Sequence, residues 1–157
     1  MILILAIVIV FRPKILGPRE TIDGVAWRYV VKDGKAVIEH NKRNFFNNRP
    51  AISVTTSGAL EIPAKLGGYR VVGVGQDAFS GCKNLTSVAI PKSLTKVSGR
   101  PFLDTNIRTV NVAKGDVERV KSIAEDLGIR LNSEKTNFGS NGVKFVECDE
   151  FPSAIGE

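Results

Sequence analysis

Apolar and polar positions first fall into a clear rhythm at Val25, where Val25, Trp27, Tyr29 and Val31 alternate with Ala26, Arg28, Val30 and Lys32. A period of two marks a half-buried strand. Asp33-Gly34 follows, a pair suited to a two-residue hairpin turn because both positions must tolerate positive φ. Ala36-Val37-Ile38-Glu39 is then the return strand. Pairing Lys32 with Lys35 sets Val31 opposite Ala36 and Tyr29 opposite Ile38. Trp27 and Tyr29 are expected as core aromatics at one end of a larger core.

Further along, the pattern repeats at a longer period. Phe79 recurs as Phe102 and Val74 as Val97 after 23 residues, while Val88 recurs as Val110 and Ile90 as Val112 after 22. Ile62-Pro63-Ala64-Lys65-Leu66 matches Ile90-Pro91-Lys92-Ser93-Leu94, with a five-residue insertion around Gly67-Gly68-Tyr69. Leu85-x-x-Val88-x-Ile90 and Ile107-x-x-Val110-x-Val112 share the L-x-x-L-x-L form that goes with leucine-rich repeats. Each piece is expected to be a short strand with its apolar side chains inward, pairing with its neighbours in a parallel ladder. Val74, Phe79, Leu94, Val97 and Phe102 fill the other side of the same core. Cys82 precedes a strand, where a small buried thiol fits.

After Val112 the period changes. Val117, Val120, Ile123, Ala124 and Leu127 form a helical stripe. Asp116 is placed to N-cap it, Glu118 lies in its first turn, and Gly128 suits the C′ position. The stripe is expected as a lid over the exposed end of the repeats. Residues 132–142 read as a loop and Val143–Glu147 as a last short strand. Cys148 and an acidic tail of Asp149, Glu150 and Glu157 follow.

At residues 74–94 the chain resembles the BspA-like leucine-rich-repeat family. The matching run is Val74-Gly75-x-x-Ala78-Phe79-Ser80-Gly81-Cys82-x-x-Leu85-Thr86-Ser87-Val88-x-Ile90-Pro91-x-x-Leu94. The next unit departs from it, with Arg100-Pro101-Phe102 and Asp104-Thr105 in place of the family residues. Ile22-Asp23-Gly24-x-x-Trp27-x-Tyr29 is similar to the segment preceding the repeats in some secreted members. The match spans Leu60–Val112. The fold class expected is β-rich α+β: a short leucine-rich-repeat solenoid with an N-terminal β-hairpin lead-in and a C-terminal helical cap. The expected organisation is a leading segment over 1–20, the lead-in over 21–57, repeats over 58–112, the cap over 113–147 and the tail over 148–157. The resemblance implies a secreted or cell-surface protein of adhesin-like type with an unidentified protein partner.

On such a ladder the outward positions are Ala59 and Glu61, Ser87 and Ala89, Thr109 and Asn111. They form the candidate ligand face. They are small and mostly polar, whereas binding hot spots favour Trp, Tyr and Arg, so the face alone predicts weak affinity. Two repeats with caps are also fewer than the three usually needed for a stable repeat array. A reduced, purely structural protein is therefore the alternative.

Charge and composition narrow the remaining classes. The formal charge is +6. Residues 1–70 hold 11 Lys/Arg against 5 Asp/Glu, and residues 71–157 hold 11 of each. A nucleic-acid binder carries its basic stripe across its main face, so no nucleic acid is expected. Lys42, Arg43 and Arg49 surround Phe45 and Phe46 in a candidate basic loop. Single-strand binding by stacking is weighed there against a solvated asparagine-rich loop. The loop and the rest of the basic N-terminal part also leave weak binding to an anionic polymer or a membrane surface as an alternative.

Met1–Phe11 is an apolar run too short to span a bilayer, which takes about 20 residues. It is expected as a leader or leader remnant, with a membrane-associated stub and a buried strand as alternatives; membrane contact is expected only through it, if uncleaved.

No catalytic, cofactor or metal residue is assigned. His40 is the only histidine and Cys82 and Cys148 the only cysteines, too few for a closed zinc site. A disulfide between those two is a minor alternative to free thiols. Gly73-x-Gly75-x-x-Ala78 has the dinucleotide spacing. It lacks the following helix and the ribose carboxylate, and no enzyme is expected.

Overall fold

The computed structural model describes residues 18–39, 50–129 and 143–149. The predicted leader, loop 40–49 with His40, the 132–142 loop and the end of the acidic tail lie outside them.

The lead-in begins with β1 (Arg19–Ile22), antiparallel to β2 (Val25–Lys32), which turns into β3 (Lys35–Ile38). The β2–β3 register pairs Tyr29 with Ile38, Val31 with Ala36 and Lys32 with Lys35, as the alternation predicts. Asp33 and Gly34 have φ of 50° and 68°, and Asp23 and Gly24 have 49° and 77°. The lead-in thus has two Asp-Gly turns of the same conformation. Arg19 and Glu20, grouped in the sequence with the leading segment, belong to β1.

Four strands then form a parallel ladder in the order β4 (Gly58–Glu61), β7 (Leu85–Ile90), β9 (Thr109–Ala113) and β10 (Lys144–Cys148). Leu60, Val88, Val110 and Phe145 occupy one register row and are buried. β10, expected only as a last strand in the cap, is the fourth rung of this ladder. Phe145 repeats the inward position of Val110 although the 22-residue period has lapsed.

A second set lies behind the ladder. β3 pairs in parallel with β6 (Tyr69–Val74), and β6 with β8 (Lys96–Val97). β5 (Lys65–Leu66) folds back on β6 across Gly67-Gly68. The lead-in therefore continues the same sheet as the repeats. Gly73 and Gly75 are accounted for here. A Cβ on Gly75 would stand 2.6 Å from the Glu39 side chain, and one on Gly73 3.3 Å from Val37. These glycines admit β3 against β6.

Equivalent backbone positions are joined by hydrogen bonds. Ala51 N–H donates to Ala78 O, Phe79 N–H to Pro101 O and Phe102 N–H to Leu127 O. Backbone dihedrals recur as well. Asp77 and Gly81 have φ of 53° and 76°, and 23 residues on Arg100 and Asp104 have 52° and 58°. The unit whose sequence departs from the repeat keeps its backbone, at the cost of placing arginine where a left-handed conformation is unfavourable.

The helix α1 (Val117–Leu127) packs against β8 and β9 and buries Val120, Ala124 and Leu127. Gly128, at φ 77°, ends it as predicted. Asp116 sits at the N-cap, and its carbonyl accepts from Val120 N–H at 3.1 Å. Its carboxylate is held by Arg119 instead of a helix N–H.

The core is continuous from lead-in to helix. Trp27 meets Phe79 edge-on at 6.1 Å, and Phe79 stacks on Phe102 at 4.5 Å. The chain is thus strand-rich with one helix among the described residues.

Candidate functional site

Strand register brings the six predicted outward residues into two rows. Ala59, Ser87 and Thr109 lie side by side, continued by Lys144. Glu61, Ala89 and Asn111 form the second, continued by Val146. Ala59 is exposed, and Glu61, Ser87, Thr109 and Asn111 are half-buried. Ala89 is only 8% exposed, so the second row is not an open surface.

A groove of about 330 Å³ lies over that row. Ala59, Leu60 and Glu61 contribute from β4, Ala89 from β7, Asn111 from β9 and Cys148 from β10. The lead-in supplies the remaining lining with Ile22, Asp23, Val25 and Trp27. Ser87 and Thr109 of the first row do not line it. The flat face expected from the strands alone is therefore shaped by the Asp23-Gly24 turn of the first hairpin.

The sequence does carry a signal for this lining. Asp23-Gly24 has the same turn chemistry as Asp33-Gly34. The strand before it, β1, falls partly within the expected leading segment over 1–20 and so carries no alternation long enough to mark it. The groove is acidic within a basic chain. Its charged groups are the carboxylates of Asp23 and Glu61, and no lysine or arginine lines it among the described residues. Trp27 lines it too, and its indole N–H is buried with no hydrogen-bond partner. Burying such a donor without an acceptor costs about 1–3 kcal/mol.

The basic-loop residues Lys42, Arg43 and Arg49 lie outside the described residues. Cys82 and Cys148 are both free, the first buried and the second half-buried, so the disulfide alternative is not realised. Among the described residues no group of three His, Cys, Asp or Glu is placed to hold a metal ion. No described helix is long and apolar enough to cross a membrane.

Burial pushes the Cys82 thiol from 9.0 up to about 11. Tyr29 is also raised, by burial first and then by the charges of Glu20 and Tyr69. A raised folded value favours the neutral form. The associated stability is complete below the unfolded pKa and is lost as pH climbs through the folded one. The expected outcome is a fall in stability between pH 9 and about 11, measured by urea denaturation, with a shallower fall in Cys82→Ala. In native protein iodoacetamide should label Cys148 well before Cys82, because the thiolate is the nucleophile; equal rates by mass spectrometry would contradict this.

Residues 59–126 match the family model described as a BspA type leucine rich repeat region (6 copies). This stretch is similar to BspA-type leucine-rich repeat regions. The matched residues begin at Ala59, the first outward position, and run through β7 and β9 into α1. The match extends the sequence resemblance beyond Val112 into the helix. The lead-in residues of the groove and β10 lie outside it. No curated protein and no solved structure matches the chain.

Proposed function

We propose that the protein is a non-enzymatic protein-binding module, a short leucine-rich-repeat solenoid of a secreted or cell-surface, adhesin-like protein. The groove across the outward ladder carries this reading. It places the carboxylates of Asp23 and Glu61 around the apolar surface of Ile22, Val25, Leu60 and Ala89. That lining suits an extended partner segment with a lysine or arginine beside small apolar groups, because complementary charge gives orientation and specificity. The repeat region supports a binding role, as ladder faces of stacked repeats form extended binding surfaces. The secreted or surface location comes from the family likeness alone.

The test is a binding assay of the whole chain against immobilised extracellular-matrix and cell-surface proteins, with Asn111→Trp as the blocking variant. Asn111 points outward, so the change should fill the groove and leave the fold intact by circular dichroism. Saturable binding weakened at least about tenfold by Asn111→Trp is the expected result. Binding that the variant leaves unchanged would move the site elsewhere. No binding at all would favour the structural-only alternative. Tagged-protein localisation with N-terminal sequencing tests the compartment.

A further inference from the structure

The sheet behind the ladder, β1-β2-β3-β6-β5 with β8 beside β6, buries one side and exposes the other. Tyr29, Ala36, Ile38 and Val71 point inward and are buried, so their neighbours along each strand point outward. Like charges are directly opposed on that outward side three times: Arg19 with Arg28, Lys32 with Lys35, and Lys65 with Arg70. Such pairs repel. Lys96 of β8 lies on the same side, where it meets Val37 around Gly73. Among the described residues no acid occupies an outward position in these strands. Glu39, next after β3, pairs with Lys32 at 2.6 Å, and Asp33 lies in the turn between the opposed lysines.

One member of each opposed pair is engaged. Arg28 Nη1 donates to Pro50 O at 2.8 Å, Lys32 holds Glu39, and Lys65 has a partner of its own. The other members, Arg19, Lys35 and Arg70, are exposed and make no ion pair among the described residues, and the same is true of Lys96. These four cations stand on four different strands, with Val30, Val37 and Val72 half-buried among them. At about 4.8 Å per strand, the array spans about 19 Å from β1 to β8.

We propose that this face docks on an anionic membrane surface. Its cations are spread in two dimensions over a sheet. A leaflet of anionic headgroups meets all of them together, whereas a linear polyanion follows one row. The headgroups also offset the repulsion within the opposed pairs. The neighbouring sequence supplies a second attachment. Seven residues separate the apolar run Met1–Phe11 from Arg19, an extended reach of about 23–25 Å. The run can therefore enter the leaflet that the face touches. A weak apolar anchor joined to a basic patch is the combination that gives stable peripheral attachment. Docked in this way, the protein holds the ladder and its groove on the side away from the lipid, open to a partner.

Flotation of the whole chain with vesicles tests this. One set is phosphatidylcholine alone, and the other mixes it with phosphatidylglycerol. The neutral set reports the apolar run without the charge. Binding to the anionic set should be at least about tenfold tighter, and the preference should shrink as salt rises. Each cation near an anionic leaflet strengthens binding about fivefold. Lys35→Gln, Arg70→Gln and Lys96→Gln together should thus weaken anionic binding about a hundredfold and leave neutral binding unchanged. All three residues are exposed, so circular dichroism should be unaltered. Lys83→Gln, Lys114→Gln and Lys144→Gln remove the same charge beside the ladder strands and should have little effect. The proposal fails if the two vesicle sets bind alike, if the sheet triple binds anionic vesicles as well as wild type, or if the ladder triple is equally damaging. It also fails if heparin at equal charge concentration strips the protein from the vesicles, since a polysaccharide is then the partner. Asn111→Trp should leave flotation unaltered, so the groove reading and this one fail independently.

Discussion

Phe79→Ala should cost about 3–5 kcal/mol of stability, the range for removing a buried phenylalanine. That is a large share of the roughly 5–15 kcal/mol that holds a typical domain together. Phe79 is fully buried. Its ring stacks on Phe102 with planes 23° apart and meets the edge of Trp27 at 86°. Phe79 thus joins the lead-in to two repeat units through one side chain. The substitution should lower the urea midpoint and shift the emission of Trp27, the only tryptophan. Both changes should occur in one transition, because lead-in and repeats share a core. Val54→Ala, at a residue 49% exposed, should change stability by less than about 0.5 kcal/mol. A loss below about 1 kcal/mol in Phe79→Ala, or separate transitions for fluorescence and circular dichroism, would show that the lead-in is an independent unit.

The parts of the fold legible in the sequence are those where one local rule decides the outcome. Alternation and the Asp33-Gly34 turn set the β2–β3 register because the side-chain period in a strand is two. The 22–23-residue recurrence set the ladder because Leu60, Val88 and Val110 must meet in one inward row. What escaped was decided by neighbours distant in sequence. Phe145 joins that row 35 residues after Val110, too far for the repeat period to flag. Arg100 and Asp104 look like decay, yet their backbone follows Asp77 and Gly81, since inter-unit hydrogen bonds impose the dihedrals that side chains alone would not select.

The candidate site was half legible for the same reason. Register places Glu61, Ala89 and Asn111 in a row, and alternation identifies them as outward. The concavity over them depends on Ile22, Asp23 and Val25, whose approach to the ladder is a tertiary fact. The basic face also depends on pairings, Arg19 with Arg28 and Lys65 with Arg70, that exist only once β1 and β5 are recognised. In both places the lead-in turns an ordinary repeat surface into one of definite charge, acidic over the ladder and basic on the sheet behind it.

The helix is held by a clasp that hydrophobic periodicity does not show. Arg119 donates from Nε and Nη2 to the Asp116 carboxylate at 2.7 and 2.5 Å. Its Nη1 donates to Leu94 O at 2.5 Å, and Nη2 also reaches Pro91 O at 3.4 Å. Leu94 and Pro91 are buried, and the Asp116 side chain is 12% exposed. Arg119→Met keeps the aliphatic stem and removes every one of these bonds. It leaves a mostly buried carboxylate without its cation and strips the guanidinium from the Leu94 and Pro91 carbonyls. Breaking a buried pair from one side costs about 3–5 kcal/mol. Because Arg119 is 31% exposed, water offsets part of that, and the expected loss is about 2–3 kcal/mol. Asp116→Asn combined with Arg119→Met should recover part of it, since no charge then remains unpaired, giving a favourable coupling in the double-mutant cycle. Urea denaturation followed by helix circular dichroism reads both quantities. If Arg119→Met stays within about 0.5 kcal/mol of wild type, a change typical of surface sites, the helix is held by Val120, Ala124 and Leu127 alone. A double variant whose loss equals the sum of the two single losses would show that Asp116 acts through the helix terminus rather than through Arg119.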